Sequence, residues 1–213
     1  MNHLPLGATM VSSIRQFWRR LENSVHPEDE FFFRQNSHTF NLDFPPPAFI
    51  GDVDNARVVI LELNGGYCPK MTPAEFPRDC DLQQYIDWLK GTRNEFPENL
   101  STYYTNNSLA PWLRDGTAVI VNAVAYRSTK ISEEKDNEKL ARILPSFKAH
   151  KQWLTQELLP QVEQNKRFVI AHRWTLWRIK PRVNLKNFVY DSCPASPHIS
   201  NQAISLACDW LKT

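Results

Sequence analysis

The stretch Arg57-Val58-Val59-Ile60-Leu61-Glu62-Leu63, halted by Asn64-Gly65-Gly66, decides the reading of this chain. Its apolar, β-branched residues follow one another without a polar break, which suits a strand covered on both faces, as in parallel sheets. Three further runs repeat the pattern. Thr117-Ala118-Val119-Ile120-Val121-Asn122 is entered through Asp115-Gly116, and it is followed by Arg167-Phe168-Val169-Ile170-Ala171 and Asn187-Phe188-Val189-Tyr190. Helical spacing fills the gaps: residues 82–89 with Tyr85, Ile86 and Trp88, residues 140–162 with a break near Pro145, and residues 204–211 at the end. Strands alternating with helices predict an α/β fold, a three-layer α/β/α domain around a four-stranded, mostly parallel sheet with right-handed crossovers. In such sheets ligands bind at the carboxyl ends of the strands.

Upstream, Ile14, Phe17, Trp18 and Leu21 recur at helical spacing within an aromatic-rich segment, residues 1–44. Pro45-Pro46-Pro47 then imposes an extended connector that delivers the chain to Phe49-Ile50-Gly51-Asp52. The 213 residues fit a single domain, 1–213, with 1–44 packed on it as an extension. The cluster Ile131-Ser132-Glu133-Glu134-Lys135-Asp136-Asn137-Glu138-Lys139 reads as a solvated loop or a helix start.

Composition sets bounds on function. With 42% hydrophobic and 23% charged residues the chain is not a disordered one. It has no run of 18 uncharged apolar residues and no basic region followed by an apolar stretch at its start. The expectation is a cytoplasmic protein without a membrane partner. The net charge is +2, so any preference for a polyanion has to be local. Cys68, Cys80, Cys193 and Cys208 lack zinc-site spacing, and the six histidines are scattered. Reduced cysteines and no metal or other cofactor are expected.

The residues leaving each strand carry the chemistry. They are Asn64-Gly65-Gly66-Tyr67, then Asn122-Ala123-Val124, then His172-Arg173-Trp174, and finally Pro194-Ala195-Ser196-Pro197-His198-Ile199-Ser200. In order, context and spacing they resemble the motifs of the uracil-DNA glycosylase superfamily. Glu62-Leu63-Asn64-Gly65-Gly66 is similar to G-I-N-P-G more than to G-Q-D-P-Y, Val121-Asn122-Ala123-Val124 to L-N-x-V, and Pro194-Ala195-Ser196-Pro197 to H-P-S-P. The resemblance covers about residues 45–213. It implies a monofunctional DNA N-glycosylase, a monomer that rotates a nucleotide out of double- or single-stranded DNA and hydrolyses its glycosidic bond.

Carried over residue by residue, the resemblance makes Asn64 the positioner of the attacking water. An amide cannot serve as a general base, but its carbonyl oxygen can align water. Asn122 falls where relatives read the Watson–Crick edge of a flipped pyrimidine, with Glu62, Gly65 and Gly66 around it. Tyr67 and Phe76 are candidates for stacking on the base. Ser196 and Pro197 form the loop that grips the DNA backbone, with Ile199 as the wedge. Each has a plain structural alternative. An Asn can end a strand before a turn, Ile199 can pack beneath its own loop, and either aromatic can be core.

Three departures from the motifs bear on the substrate. Gly65 replaces a proline, Glu62 replaces a glycine, and Pro194 replaces the histidine that steadies the departing base. His198 or His172 could substitute for that histidine. Together the changes point away from uracil alone and toward a modified or bulky pyrimidine, whether in DNA repair or in defence against base-modified phage DNA. Residues 164–190 hold seven Lys or Arg, among them Arg173 and Lys180, and no Asp or Glu, with Trp174 and Trp177 interleaved. Such a stretch suits phosphate contact and stacking, and equally an ordinary solvated surface. The alternatives in function are a lesion- or modified-base-binding protein with a decayed glycosylase site, and an α/β hydrolase of small molecules. The chain has no G-x-S-x-G elbow for the latter.

Overall fold

The computed structural model describes residues 14–105, 108–131, 133–179, 185–192, 196 and 198–213. Its centre is a sheet of five strands: β1 (Phe49–Gly51), β2 (Val58–Gly66), β3 (Ala118–Ser128), β4 (Phe168–Ala171) and β5 (Phe188–Tyr190), in the order β1-β3-β2-β4-β5. The four strands read from the sequence are all present and run parallel to their neighbours. A fifth, β1, adds an antiparallel edge, with Ile50 opposite Ile120, so the count of four is corrected to five. Only three residues long, β1 lies directly behind the proline connector and has no apolar run of its own. Gly51 closes it at φ 112°, in close approach to the Ala118 carbonyl, where a side chain would collide.

Val58, Val59, Ile60 and Leu61 are all fully buried although successive strand residues point to opposite faces. Both faces of the sheet are therefore covered. α1 (Ile14–Trp18), α2 (Pro27–Gln35), α3 (Asp79–Lys90), α4 (Thr102–Thr105), α5 (Ala110–Arg114), α6 (Lys135–Ile143), α7 (Pro145–Trp153), α8 (Leu159–Glu163) and α9 (Asn201–Leu211) supply the helices. A π-type turn, Leu154–Leu158, joins α7 to α8, and a 3-10 turn, Thr72–Glu75, precedes α3. α3 shows why these segments are helical. Asp81 accepts the Arg78 backbone N–H, Gly91 ends the helix at φ 76°, and Tyr85, Ile86, Trp88 and Leu89 form the inward stripe. α9 starts at Ser200, whose hydroxyl accepts from the Ala203 amide, and buries Trp210 against Phe168.

The strand ends differ from the sequence reading. β2 continues through Asn64 to Gly66, and β3 continues through Asn122 to Ser128. Both asparagines thus lie inside strands. Glu62 pairs with Asn122 and Asn64 with Val124, and the register shifts between Asn64 and Gly66. β4 stops opposite Leu61, so β2 and β3 extend beyond it as a two-stranded ribbon. The connection from β2 leads to β3 on one side, and that from β4 leads to β5 on the other. The chain order reverses between β2 and β4, and a crevice at their carboxyl ends follows from that topology.

The N-terminal segment is tied to β3 by buried polar groups. Tyr126 donates to Asp29 Oδ2 at 2.7 Å, and Asp29 Oδ1 accepts from the Ser146 amide at 3.0 Å. Trp18 Nε1 donates to His150 Nε2 at 2.9 Å, which leaves the proton on Nδ1, 2.6 Å from the Asn122 carbonyl oxygen. Burial lowers the His150 pKa to about 4, from 6.5. Between those values the unfolded chain binds a proton that the folded chain does not. Stability should therefore fall as pH drops from 6.5 toward 4, by about 1.4 kcal/mol per pH unit for this group. Urea denaturation across that range, compared with His150→Phe, checks this. The variant should lack that part of the slope, and equal slopes would contradict the assignment.

Candidate functional site

A cavity of about 350 Å³ opens beside the ribbon. β2 contributes Glu62, Asn64 and Gly66, β3 contributes Asn122, Arg127 and Ser128, and Arg173 closes the β4 side. Tyr67 and Met71 follow β2 into the wall, and Tyr103 and Tyr104 reach it from α4.

Asn64 has both amide hydrogens engaged. Nδ2 donates to Ser128 Oγ at 3.0 Å and to the Gly65 carbonyl at 2.8 Å. The amide is thereby fixed in orientation, and Oδ1 remains the acceptor with no protein donor among the described residues. Asn122 is 1% exposed. Its Nδ2 donates to the Pro47 carbonyl at 2.5 Å and its backbone N–H to Ala48 at 3.0 Å. Tyr104, its contact in the cavity, has its hydroxyl pKa pushed up to about 12 by burial.

Glu62 sits where the crevice between β2 and β4 begins. Its Oε1 accepts from the Tyr103 hydroxyl at 2.8 Å. Arg173 Nε lies 3.8 Å from Oε2 and His172 Nε2 lies 3.9 Å from Oε1. Burial pushes the carboxyl above the usual carboxylate range, against the opposing pull of His172, Tyr103 and Arg173. Within the wall, Arg127 and Glu75 form a two-pronged ion pair, 3.2 and 3.0 Å, with both side chains buried. Arg127 also donates to Pro45 and Gly66 carbonyls, so it is spent on holding the ribbon to the proline connector.

The structure brings some of the expected residues together and separates others. Glu62, Asn64, Gly66, Tyr67, Asn122 and Arg173 share the cavity. Gly65 does not line it. It lies against the Pro47 ring, where any side chain would collide, so glycine here serves the crossing of two chain segments. Phe76 is also absent from the wall and stacks on Phe44 at 5.5 Å, beneath Arg127. His198 is exposed and lies outside the cavity, its backbone N–H donating to Ser196 Oγ. Ile199, expected as the wedge, is half-buried against the core and does not line the cavity.

Ser196 reaches only the margin. Its carbonyl accepts from His172 Nε2 at 3.0 Å and Arg173 Nη2 at 3.1 Å, while His172 Nδ1 lies 2.6 Å from Asp191 Oδ2. Pro197 and Lys180 lie outside the described residues. Within the basic stretch, Arg167 is buried and donates to the Val53 and Asp54 carbonyls, and Trp177 is buried with Nε1 on the Glu62 carbonyl at 2.7 Å. Neither is available to nucleic acid.

Sequence reasoning missed Tyr103, Ser128, and the Arg127–Glu75 pair. They lie 13 to 66 residues along the chain from Glu62, and no short motif carries them. Among the described residues no group of three His, Cys, Asp or Glu is arranged to hold a metal ion, and no helix is long and apolar enough to cross a membrane. The chain matches no protein-family model, no curated protein and no solved structure. Removing one partner of the buried pair leaves the other charge stranded. Glu75→Ala should lower the unfolding free energy by about 3–5 kcal/mol, read from urea denaturation at pH 7. A loss below about 1 kcal/mol would show that the pair does not hold this wall.

Proposed function

We propose that the chain is a monofunctional DNA N-glycosylase that takes a flipped pyrimidine nucleotide, uracil or a modified base, into the cavity beside the β2–β3 ribbon. The observation that carries this reading is the paired placement of Asn64 and Asn122 in one cavity, with the Asn64 amide pinned so that Oδ1 is left to accept. In the proposed reaction a water held by Asn64 Oδ1 adds its oxygen to C1′ of the sugar. The C1′–N bond breaks, and the base leaves with the bonding pair. Since an amide takes no proton, the water proton passes to solvent or the departing base as the sugar cation is captured. The polar wall around Asn122 offers hydrogen bonds to the base edge, and Tyr67 offers a ring face.

Among the described residues no histidine lines this cavity, and that observation favours one other reading: a protein that binds an unusual base in DNA without excising it. The two separate on base release. Duplexes carrying uracil, mismatched thymine or modified cytosine are incubated with the protein, and abasic sites are revealed by alkali. The glycosylase reading expects abasic sites only after alkali, equally with and without EDTA. Asn64→Ala should lower release by about two to four orders of magnitude, the range for losing a group positioned on the reacting atoms, with affinity little changed. Tight binding without release selects the binding protein. Full activity in Asn64→Ala would overturn the role of this residue.

A further inference from the structure

Glu62 is a buried acceptor in the cavity wall with capacity to spare. It is 3% exposed, and its carboxyl is served by the Tyr103 hydroxyl and the neighbouring Leu63 amide. Arg173 Nε and His172 Nε2, at 3.8 and 3.9 Å, lie beyond hydrogen-bond reach. Arg173 Nε is itself buried with no hydrogen-bond partner. A carboxylate has about four lone-pair sites, and a buried one with some of them unmet favours a ligand that brings donors. Glu62 and Asn122 are register partners on adjacent strands, so their side chains stand side by side on one face and together line the cavity. Whatever base edge meets Asn122 also meets Glu62.

Resting on the glycosylase reading, we infer that Glu62 selects the base, and that the cavity takes a pyrimidine with an exocyclic amine, cytosine or a 5-substituted cytosine. The amine of cytosine is a donor beside an acceptor, N3. An ionised Glu62 accepts from the amine, as acidic side chains do when they read cytosine in DNA. A neutral Glu62 accepts from the amine through one oxygen and donates to N3 through the other. Cytosine is thus served in either state. Uracil and thymine present one N–H flanked by two carbonyl oxygens. An ionised carboxylate approaching that N–H meets lone pairs on both sides, so only the neutral carboxyl matches them. The glycine that the glycosylase motif carries at this position would impose no such choice.

The test uses duplexes identical except at one nucleotide: cytosine, 5-methylcytosine, 5-hydroxymethylcytosine, uracil or thymine. Base release is measured in single turnover, and binding is measured in parallel with 2′-fluorinated versions that resist hydrolysis. At least one of the three cytosines should exceed uracil by roughly 5- to 150-fold, the range for one well-made base contact. Glu62→Gln, whose amide offers a donor and an acceptor, should shrink or reverse that ratio. Tyr103→Phe, which frees Oε1, should shift it less and stands in if Glu62→Gln does not fold. Uracil released at least as well as every cytosine would overturn the base assignment while leaving the glycosylase reading intact. Absence of release, with a cytosine preference in binding that Glu62→Gln abolishes, would uphold the base assignment and overturn catalysis. Absence of both release and preference would overturn both.

Discussion

β3 is buried along all eleven of its residues, and the molecule is arranged around that constraint. A strand with no access to water must find every hydrogen-bond partner inside the protein. Its polar residues each recruit a different segment. Asn122 binds the proline connector through its amide and α7 through its carbonyl. Tyr126 binds Asp29 of α2, Arg127 binds Glu75 ahead of α3, and Ser128 receives Asn64 from β2. The short β1 and the Asn41–Arg127 bridge cover the outer edge. The cavity wall is built from the groups that keep this strand satisfied, and its rigidity has the same origin.

Two consequences follow for the site. Because β2 pairs with β3 as far as Gly66 but with β4 only to Leu61, the ribbon stands clear of the sheet on one side. Glu62 is placed at the fork, with Asn122 beside it and His172 and Arg173 across from it. The wall is also electrostatically lopsided. Arg127 is neutralised by Glu75, whereas Glu62 has no cation in hydrogen-bonding contact. A cavity that is polar and buried, with polar atoms of Glu62 and Arg173 left without close partners, is a selective environment, since an unmatched buried polar group costs about 1–3 kcal/mol.

The core of the sheet was legible because β-branched runs such as Val58-Val59-Ile60 and Val119-Ile120-Val121 have few other uses than buried strands. The helices 79–90 and 201–211 were legible from their spacing. What escaped reading has physical causes. Asn64-Gly65-Gly66 reads as a turn, since these residues are poor strand formers, yet pairing with β3 overrides that local preference. Asn122 likewise marks a strand end in isolation, and only the buried partners Pro47 and His150 show why it sits mid-strand. β1 is too short to carry a signal. For the site, the glycosylase-like motif picked out Asn64, Asn122 and Glu62, which line one cavity. It misplaced Phe76, Gly65, His198 and Ile199, whose positions are set by packing against Phe44, Pro47 and the α9 approach. A basic run was a poor guide to an exposed surface, because Arg167 serves two buried carbonyls.

On the proposed function, the cavity beside the β2–β3 ribbon receives a nucleotide rotated out of DNA. A crystal structure of the protein bound to a duplex with one 2′-fluorinated, hydrolysis-resistant pyrimidine nucleotide tests it most directly. The account predicts the base inside the cavity, its edge toward Glu62 and Asn122, and C1′ within reach of a water on Asn64 Oδ1. A base left stacked in the duplex, or DNA bound on another face of the molecule, would contradict it.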